Sequence, residues 1–440
     1  MTNLLQNIEI DEEKYKNLLL SGNLYEFEES LHKFVMLEIY DKLAKSLIVD
    51  VLESDAHIRK MKALASAQRL GKLQNRVVNL QLRTGTYIKV KTAYARVVPD
   101  GHLSSRYLSF QHFGVISHAS PSYYSQVSKF SVLCGSFEIV KDVLNGLQVG
   151  NNLERIRSLS LSVSKKCLQK RVESMLDGGD NLSGKRVIIS TDGGRIRTRE
   201  YKEKQGDGTA AKFETPWREP KLFIISVIDK DGKMEQSELP IYDATFTEES
   251  LFNLLGQYLK ALNISQVKEV QVIADGALWI WNNMKNMLVK LGVEADKIVE
   301  TLDYYHAVEH LKKLTDLLPL HKKDSKNGLF SDLKSLLWAG DIETIIEKIL
   351  TKVKRVSKKM KTEIDYFKKN SVRMNYPKYR ENKWLSGSGI IESGVRRMIN
   401  LRFKSASSFW KIQNLDGLMF MRCALLSGRW QFIMNTITNF

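Results

Sequence analysis

The chain has 440 residues, 43% of them hydrophobic and 27% charged, with a formal net charge of +17. That composition describes a globular protein with room for two or three domains, and no run of about 18 apolar residues suits a membrane span. Met1-Thr-Asn-Leu-Leu-Gln-Asn7 has neither the basic flank nor the apolar core of a secretion signal, and three scattered cysteines (Cys134, Cys167, Cys423) argue against a disulfide framework or a cysteine zinc ribbon. A reducing, cytoplasmic setting is expected, with no membrane partner.

The charge is unevenly placed. Residues 1–50 hold 5 Lys against 10 Asp and Glu, a balance of −5, which leaves +22 on the other 390. An excess of that size suits a polyanion, because neutralising phosphates releases counterions. A solvated basic surface accounts for it equally well.

In chain order, residues 1–75 read as helices, with spaced apolar positions in Phe34-Val-Met-Leu-Glu-Ile-Tyr-Asp-Lys-Leu43. From 77 to 98 the pattern alternates as strands do, with Arg83-Thr-Gly85 as a hairpin loop, and a linker rich in Ser, His and Gly follows Pro99-Asp-Gly101 to about residue 125. A helix from Phe137, a break at Gly146-Leu-Gln-Val-Gly150 and a helix bearing Arg155 and Arg157 fit either a helix-turn-helix DNA reader or a plain helical hairpin. Apolar runs at 186–190, 222–228, 269–274 and 298–302 read as strands, with helices at 247–262, 279–291 and 304–318, so the second half is an α/β layer. Residues 326–383 read as helical and basic, carrying Lys354, Arg355 and Lys358.

Three acidic residues stand in contexts that suit metal-assisted chemistry at phosphorus. Asp192 and Asp275 each close a strand-like run and are each followed by glycine, while Glu392 lies in the helix-like Gly389-Ile-Ile-Glu392. Three carboxylates so presented can hold two divalent cations about 4 Å apart for in-line displacement. Arg396 and Arg402 follow Glu392 and are candidates for phosphate contacts, and Trp410 and Trp430 are expected in the core. A competing pattern is His306-x-x-Glu309-His310, an inverted zincin motif that would mark a zinc metallopeptidase, although nothing downstream marks a third ligand.

Six segments in order carry a resemblance. They are Ser190-Thr-Asp-Gly-Gly194, Ala274-Asp-Gly-Ala-Leu-Trp-Ile-Trp-Asn282, Asp303-Tyr-Tyr-His-Ala-Val-Glu-His-Leu311, Gly387-Ser-Gly-Ile-Ile-Glu-Ser-Gly394, Leu401-Arg-Phe-Lys404 and Leu425-Leu-Ser-Gly-Arg-Trp430. Over about 185–430 the chain resembles bacterial insertion-sequence DDE transposases of the Mutator-like superfamily, ISKra-type. The resemblance implies an RNase H-like catalytic core at 185–440 with an all-helical insertion at about 312–383. Before it would stand an N-terminal helical region (1–75), a β-hairpin and linker (76–125) and a helix-turn-helix-like region (126–180).

The resemblance further implies that Asp192, Asp275 and Glu392 are catalytic and hold Mg²⁺ or Mn²⁺. Asp303 and His306 would support them, and His310 would pack one turn beyond His306. The activity would be cleavage at element ends and strand transfer into target DNA. Double-stranded DNA would be the partner, with Arg155, Arg157, Lys354, Arg355, Lys358, Arg396 and Arg402 as candidate contacts. A homo-oligomer on DNA, associated with the bacterial nucleoid, is expected. Family members often carry cysteine pairs before the core, and Val98-Pro-Asp-Gly101 stands there without cysteines, so end binding would rest on 137–166 or the hairpin. A catalytically silent DNA-binding derivative and a nuclease that cuts without joining stay open as alternatives.

Overall fold

The computed structural model describes residues 10–97, 104–201, 213–319, 323–405 and 408–438. The turn expected at 99–101 and the cysteine-free segment 98–101 lie outside them. The chain forms two compact units, one of Met1–Ser174 with Gln431–Phe440 and one of Met175–Trp430.

Among its described residues the first unit is mainly helical, with one antiparallel sheet in which β1 (Gln74–Gln81), β2 (Tyr87–Val97) and β3 (Ser104–Tyr107) lie in order. The hairpin loop falls where expected, with Gln81 opposite Tyr87 and Gly85 at φ +84°, a value that favours glycine. Alternate residues Leu80, Leu82, Ile88 and Val90 bury one face with Leu52 and Phe110.

The expected linker is instead structured. β3 pairs with β2, a short helix Leu108–His112 follows, and the helix Pro121–Leu133 starts at Ser120, whose side chain accepts a bond from the Tyr123 amide. Ser-Pro at a helix start is a legible signal, a cap followed by a residue with no amide to satisfy. The helices Phe137–Gly146 and Leu153–Leu168 are capped in the same way by Ser136 and Asn152 and bury Val140, Leu144, Ile156, Leu159 and Val163.

The second unit is built on a mixed five-stranded sheet. Its strands are β4 (Arg186–Gly193), β9 (Lys221–Ile228), β10 (Ile241–Thr245), β11 (Glu269–Ala274) and β12 (Ile298–Leu302), in spatial order β10-β9-β4-β11-β12. β4, β11 and β12 are parallel, and β9 runs antiparallel to both β4 and β10. Helices Glu248–Ala261, Leu278–Lys290 and Tyr304–Asp316 lie between or after these strands. The central strands are buried along almost their whole length, which is why they read as unbroken apolar runs.

Four two-residue strands extend the β4–β9 pair: β5 (Ile196–Arg197), β6 (Glu200–Tyr201), β7 (Phe213–Glu214) and β8 (Trp217–Arg218). Between β12 and Gly389 every described element is helical, including Lys323–Trp338, Ile342–Leu350, Lys358–Asn370 and Tyr376–Glu381. The helix Gly389–Gly394 continues through a π-helical stretch, Val395–Asn400, toward the long buried helix Ile412–Leu426.

Candidate active site

Burial and hydrogen bonding fix the two aspartates. Residues Val187–Thr191 of β4 are buried, and the Thr191 hydroxyl donates to the Leu222 carbonyl of β9 at 2.8 Å. The parallel register pairs Ser190 with Ile273, so two further residues on each strand bring Asp192 level with Asp275. Both aspartates thus follow the last residues paired between β4 and β11, at the carboxyl edge of the sheet, close enough for the charge of Asp275 to act on Asp192. Ligand crevices of α/β sheets open beyond this edge.

Each aspartate is anchored through one oxygen. Asp192 Oδ1 accepts from the Gly193 amide at 2.6 Å, and Asp275 Oδ1 accepts from the Ala277 amide at 3.0 Å. The Trp281 indole donates to the Asp275 carbonyl at 2.8 Å. Gly276 has no room for a side chain, since a Cβ there would lie 2.3 Å from the Tyr366 ring.

Glu392 is exposed on the helix Gly389–Gly394, which packs on β4 and β9. Gly394 permits that approach, because a Cβ there would meet the Tyr242 ring at 2.9 Å. The preceding loop is tied to the sheet twice. Gln271, buried in β11, donates to the Leu385 carbonyl at 2.7 Å and accepts from the Leu385 amide at 3.1 Å. Asp303, fully buried, caps the helix Tyr304–Asp316 by accepting from the His306 amide at 2.8 Å, and its other oxygen accepts from the Ser388 amide. Ser388 Oγ in turn donates to Glu392 Oε1 at 3.3 Å.

The electrostatics of Asp192 register this convergence. Burial pushes its carboxyl above the usual carboxylate range, and the charges of Asp275 and Glu392 push the same way. The Gly193 amide and His306 oppose the shift. Like charges gathered in a half-buried crevice are what a cation relieves.

Among the described residues, no group of three or more His, Cys, Asp or Glu side chains is set closely enough to hold a metal ion. Asp192, Asp275 and Glu392 do not form such a group in this structure. As donors they fit a hard divalent cation: all are oxygen ligands, and each anchoring bond uses a single oxygen.

His310 is engaged by a second helix. Its Nδ1 lies 2.7 Å from Glu363 Oε2 and its ring stacks on Tyr366 at 3.7 Å between centroids, so it joins two helices. Glu309 is exposed, 3.9 Å from His306.

The candidate DNA contacts divide. Arg157, Lys354, Arg355, Lys358 and Arg396 are exposed. Arg155 is engaged within its own unit, donating to Gln81 Oε1 at 2.9 Å and the Ser117 carbonyl at 2.8 Å. Arg402 must be reassigned. Only 1% of it is exposed, and its guanidinium stacks over Trp410 at 4.8 Å, so it is a core residue and not a surface contact. Sequence spacing on a basic helix does not tell its buried side from its wet one. Arg396→Ala is expected to weaken duplex binding and lower the salt slope by about one, while Arg402→Ala leaves that slope intact and costs about 2–3 kcal/mol of stability. Salt titrations beside urea unfolding check both. The residues sequence reasoning missed are Gln271, which bonds the distant Leu385 backbone, and Ser388, whose amide donates to the Asp303 carboxylate and whose hydroxyl donates to Glu392.

No protein-family model matches this chain, and no curated protein is similar to it. Among solved structures it is similar to the Drosophila P element transposase strand transfer complex, at 13% identity and a TM-score of 0.26, over 72% of this chain and 81% of that one. A likeness at that level does not establish a shared fold.

Proposed function

We propose that the chain is a metal-dependent DNA transposase of the DDE type, within the Mutator-like superfamily and of ISKra type, cutting DNA at element ends and joining the ends to target DNA. The observation that carries this reading is the placement of Asp192 at the end of β4 and Asp275 just past the end of the adjacent parallel strand β11, with the loop before Glu392 tied to β11 and to Asp303. The first aspartate ends the first of the five sheet strands, the second follows the fourth, and the glutamate comes after a helical excursion. That order fits an RNase H-like core with a helical insertion.

In this reading Asp192, Asp275 and Glu392 hold Mg²⁺ or Mn²⁺. Bound there, the ions would supply an activated oxygen nucleophile and stabilise the leaving oxygen. The protein's own groups do the rest. Asp303 holds the His306 amide and the Glu392 loop in place, and the His306 ring lies close enough to Asp192 to oppose the rise of its carboxyl. Exposed Arg396 and the Lys354, Arg355 and Lys358 group contact phosphates and set register without reading sequence. The partner is double-stranded DNA, bound by a homo-oligomer in the bacterial cytoplasm.

The test is labelled element-end duplex incubated with purified protein and Mg²⁺ or Mn²⁺, wild type beside Glu392→Gln. Wild type is expected to nick and join, and the variant to bind but leave the duplex whole. Binding without nicking by wild type would refute the enzyme.

A further inference from the structure

Beyond Asp192 the β4–β9 pair does not end. The Gly194 amide donates to the Pro220 carbonyl at 2.8 Å, Arg197 then pairs with Trp217, the Thr198 amide donates to the Pro216 carbonyl at 3.0 Å, and Tyr201 pairs with Phe213. The result is a two-stranded ribbon running on from the edge of the sheet that carries Asp192. A lone ribbon is marginal in water. This one is braced at its base by Trp410, whose amide donates to the Arg197 carbonyl and whose carbonyl accepts from the Arg199 amide at 2.8 Å.

The ribbon displays three large rings. Tyr201 is 52% exposed, Phe213 45% and Trp217 49%. Each lies against a cation: Arg197 over Trp217 at 4.9 Å, Arg199 over Phe213 at 4.3 Å and Lys411 over Tyr201 at 5.5 Å. Two guanidinium groups and one ammonium thus stand beside the three rings. A protein partner's apolar face would meet a charge beside every ring. A duplex keeps its base faces stacked inside. An unpaired strand offers both free base faces for the rings and phosphates for the cations, the combination that defines strand-binding grooves. Arg197, the partner of Trp217, lies five positions beyond Asp192, so its Cα lies within about 18 Å of the Asp192 Cα.

We propose that the β5–β8 ribbon is a stacking platform for the unpaired bases of a DNA strand whose phosphate lies at the Asp192–Asp275 edge. The platform rests on the DNA reading above, but its own test needs neither metal nor cleavage. Anisotropy of labelled oligothymidylate and of a labelled duplex of equal length is measured on the full chain without metal, for wild type, Trp217→Ala, Trp217→Phe and Phe213→Ala. Trp217→Ala and Phe213→Ala are expected to weaken oligothymidylate binding about tenfold. Duplex affinity changes less than about twofold, and Trp217→Phe stays near wild type because a ring remains.

Equal losses on both DNA forms, or no loss on the single strand, overturn the platform even if the protein cleaves. Loss of the single strand alone, in a protein that never cleaves with metal, upholds the platform and removes the transposase. Trp217 and Phe213 are half-exposed, so both alanine variants are expected to fold, and unchanged thermal midpoints confirm it.

Discussion

Asp192→Asn is expected to lower metal-dependent cleavage by about a hundred- to a thousandfold, the scale at which a preorganised electrostatic contact at a reacting centre acts. It is also expected to leave the protein at least as stable. Burial and the charges of Asp275 and Glu392 raise the folded carboxyl's pKa above its unfolded value. A carboxyl so raised favours the fold fully below its unfolded pKa and loses that contribution as pH rises through the folded one, so at neutral pH its ionisation opposes folding. Asparagine removes that opposition. At neutral pH the variant therefore melts at or above wild type, and the gap closes as the pH falls toward about 4.

Excess Mg²⁺ or Mn²⁺ stabilises the wild type and not the variant, by about 2.7 kcal/mol at a hundred times the dissociation constant, and raises only the wild-type midpoint. Paired melting curves and a cleavage time course read all three effects. A variant that melts well below wild type at neutral pH would show that Asp192 serves the fold.

The second large effect is expected from Asp303→Ala. The carboxylate is fully buried and accepts two backbone amides, from His306 and Ser388. Each amide left without an acceptor costs about 1–3 kcal/mol, which puts the loss near 3 kcal/mol even if water enters. The kinetic loss is larger than stability alone explains, because the Ser388 amide also fixes the loop that carries Glu392. Misplacing a reacting group by about 1 Å can cost a hundredfold. Urea unfolding gives the first quantity, and cleavage at a temperature where the variant is fully folded gives the second. Asp303→Asn keeps one acceptor oxygen and should fall between. A variant that is destabilised yet cleaves at the wild-type rate would remove Asp303 from the site.

How much of this was legible depends on where each residue's partners lie. β4, β9 and β11 show in the sequence because they are buried on both faces, and Asp-Gly at two strand ends marked the crevice before any geometry. β10 does not show, since Asp243 interrupts it. That carboxylate is buried because it accepts from the Tyr258 hydroxyl at 3.0 Å and the Ala244 amide at 2.8 Å, and the tyrosine is 15 residues away. Glu392 was legible as a candidate, but its seat was not: Gln271 reaches Leu385 across 114 residues and Asp303 reaches Ser388 across 85. The linker expected before residue 125 failed for the opposite reason. Its signals, Tyr107-Leu108 and Ser120-Pro121, were local but too short for periodicity.

Those two long-range ties have a consequence for how the protein can vary. They pinch the chain at a neck, with β11, β12 and the start of the Tyr304–Asp316 helix on one side and Leu385 to Ser388 on the other. Everything between is an excursion whose ends are already fastened, and lengthening a closed loop costs only about 0.6 kcal/mol per doubling. The helices beyond the neck can therefore grow, shrink or be exchanged while the carboxylates stay seated. The brakes are the groups that return to the sheet: the Tyr366 ring lodged against Gly276, and Arg373 and the Tyr379 hydroxyl, which donate to Glu300 of β12. A chain built this way can acquire new surface without rebuilding its carboxylate edge, provided those contacts are kept.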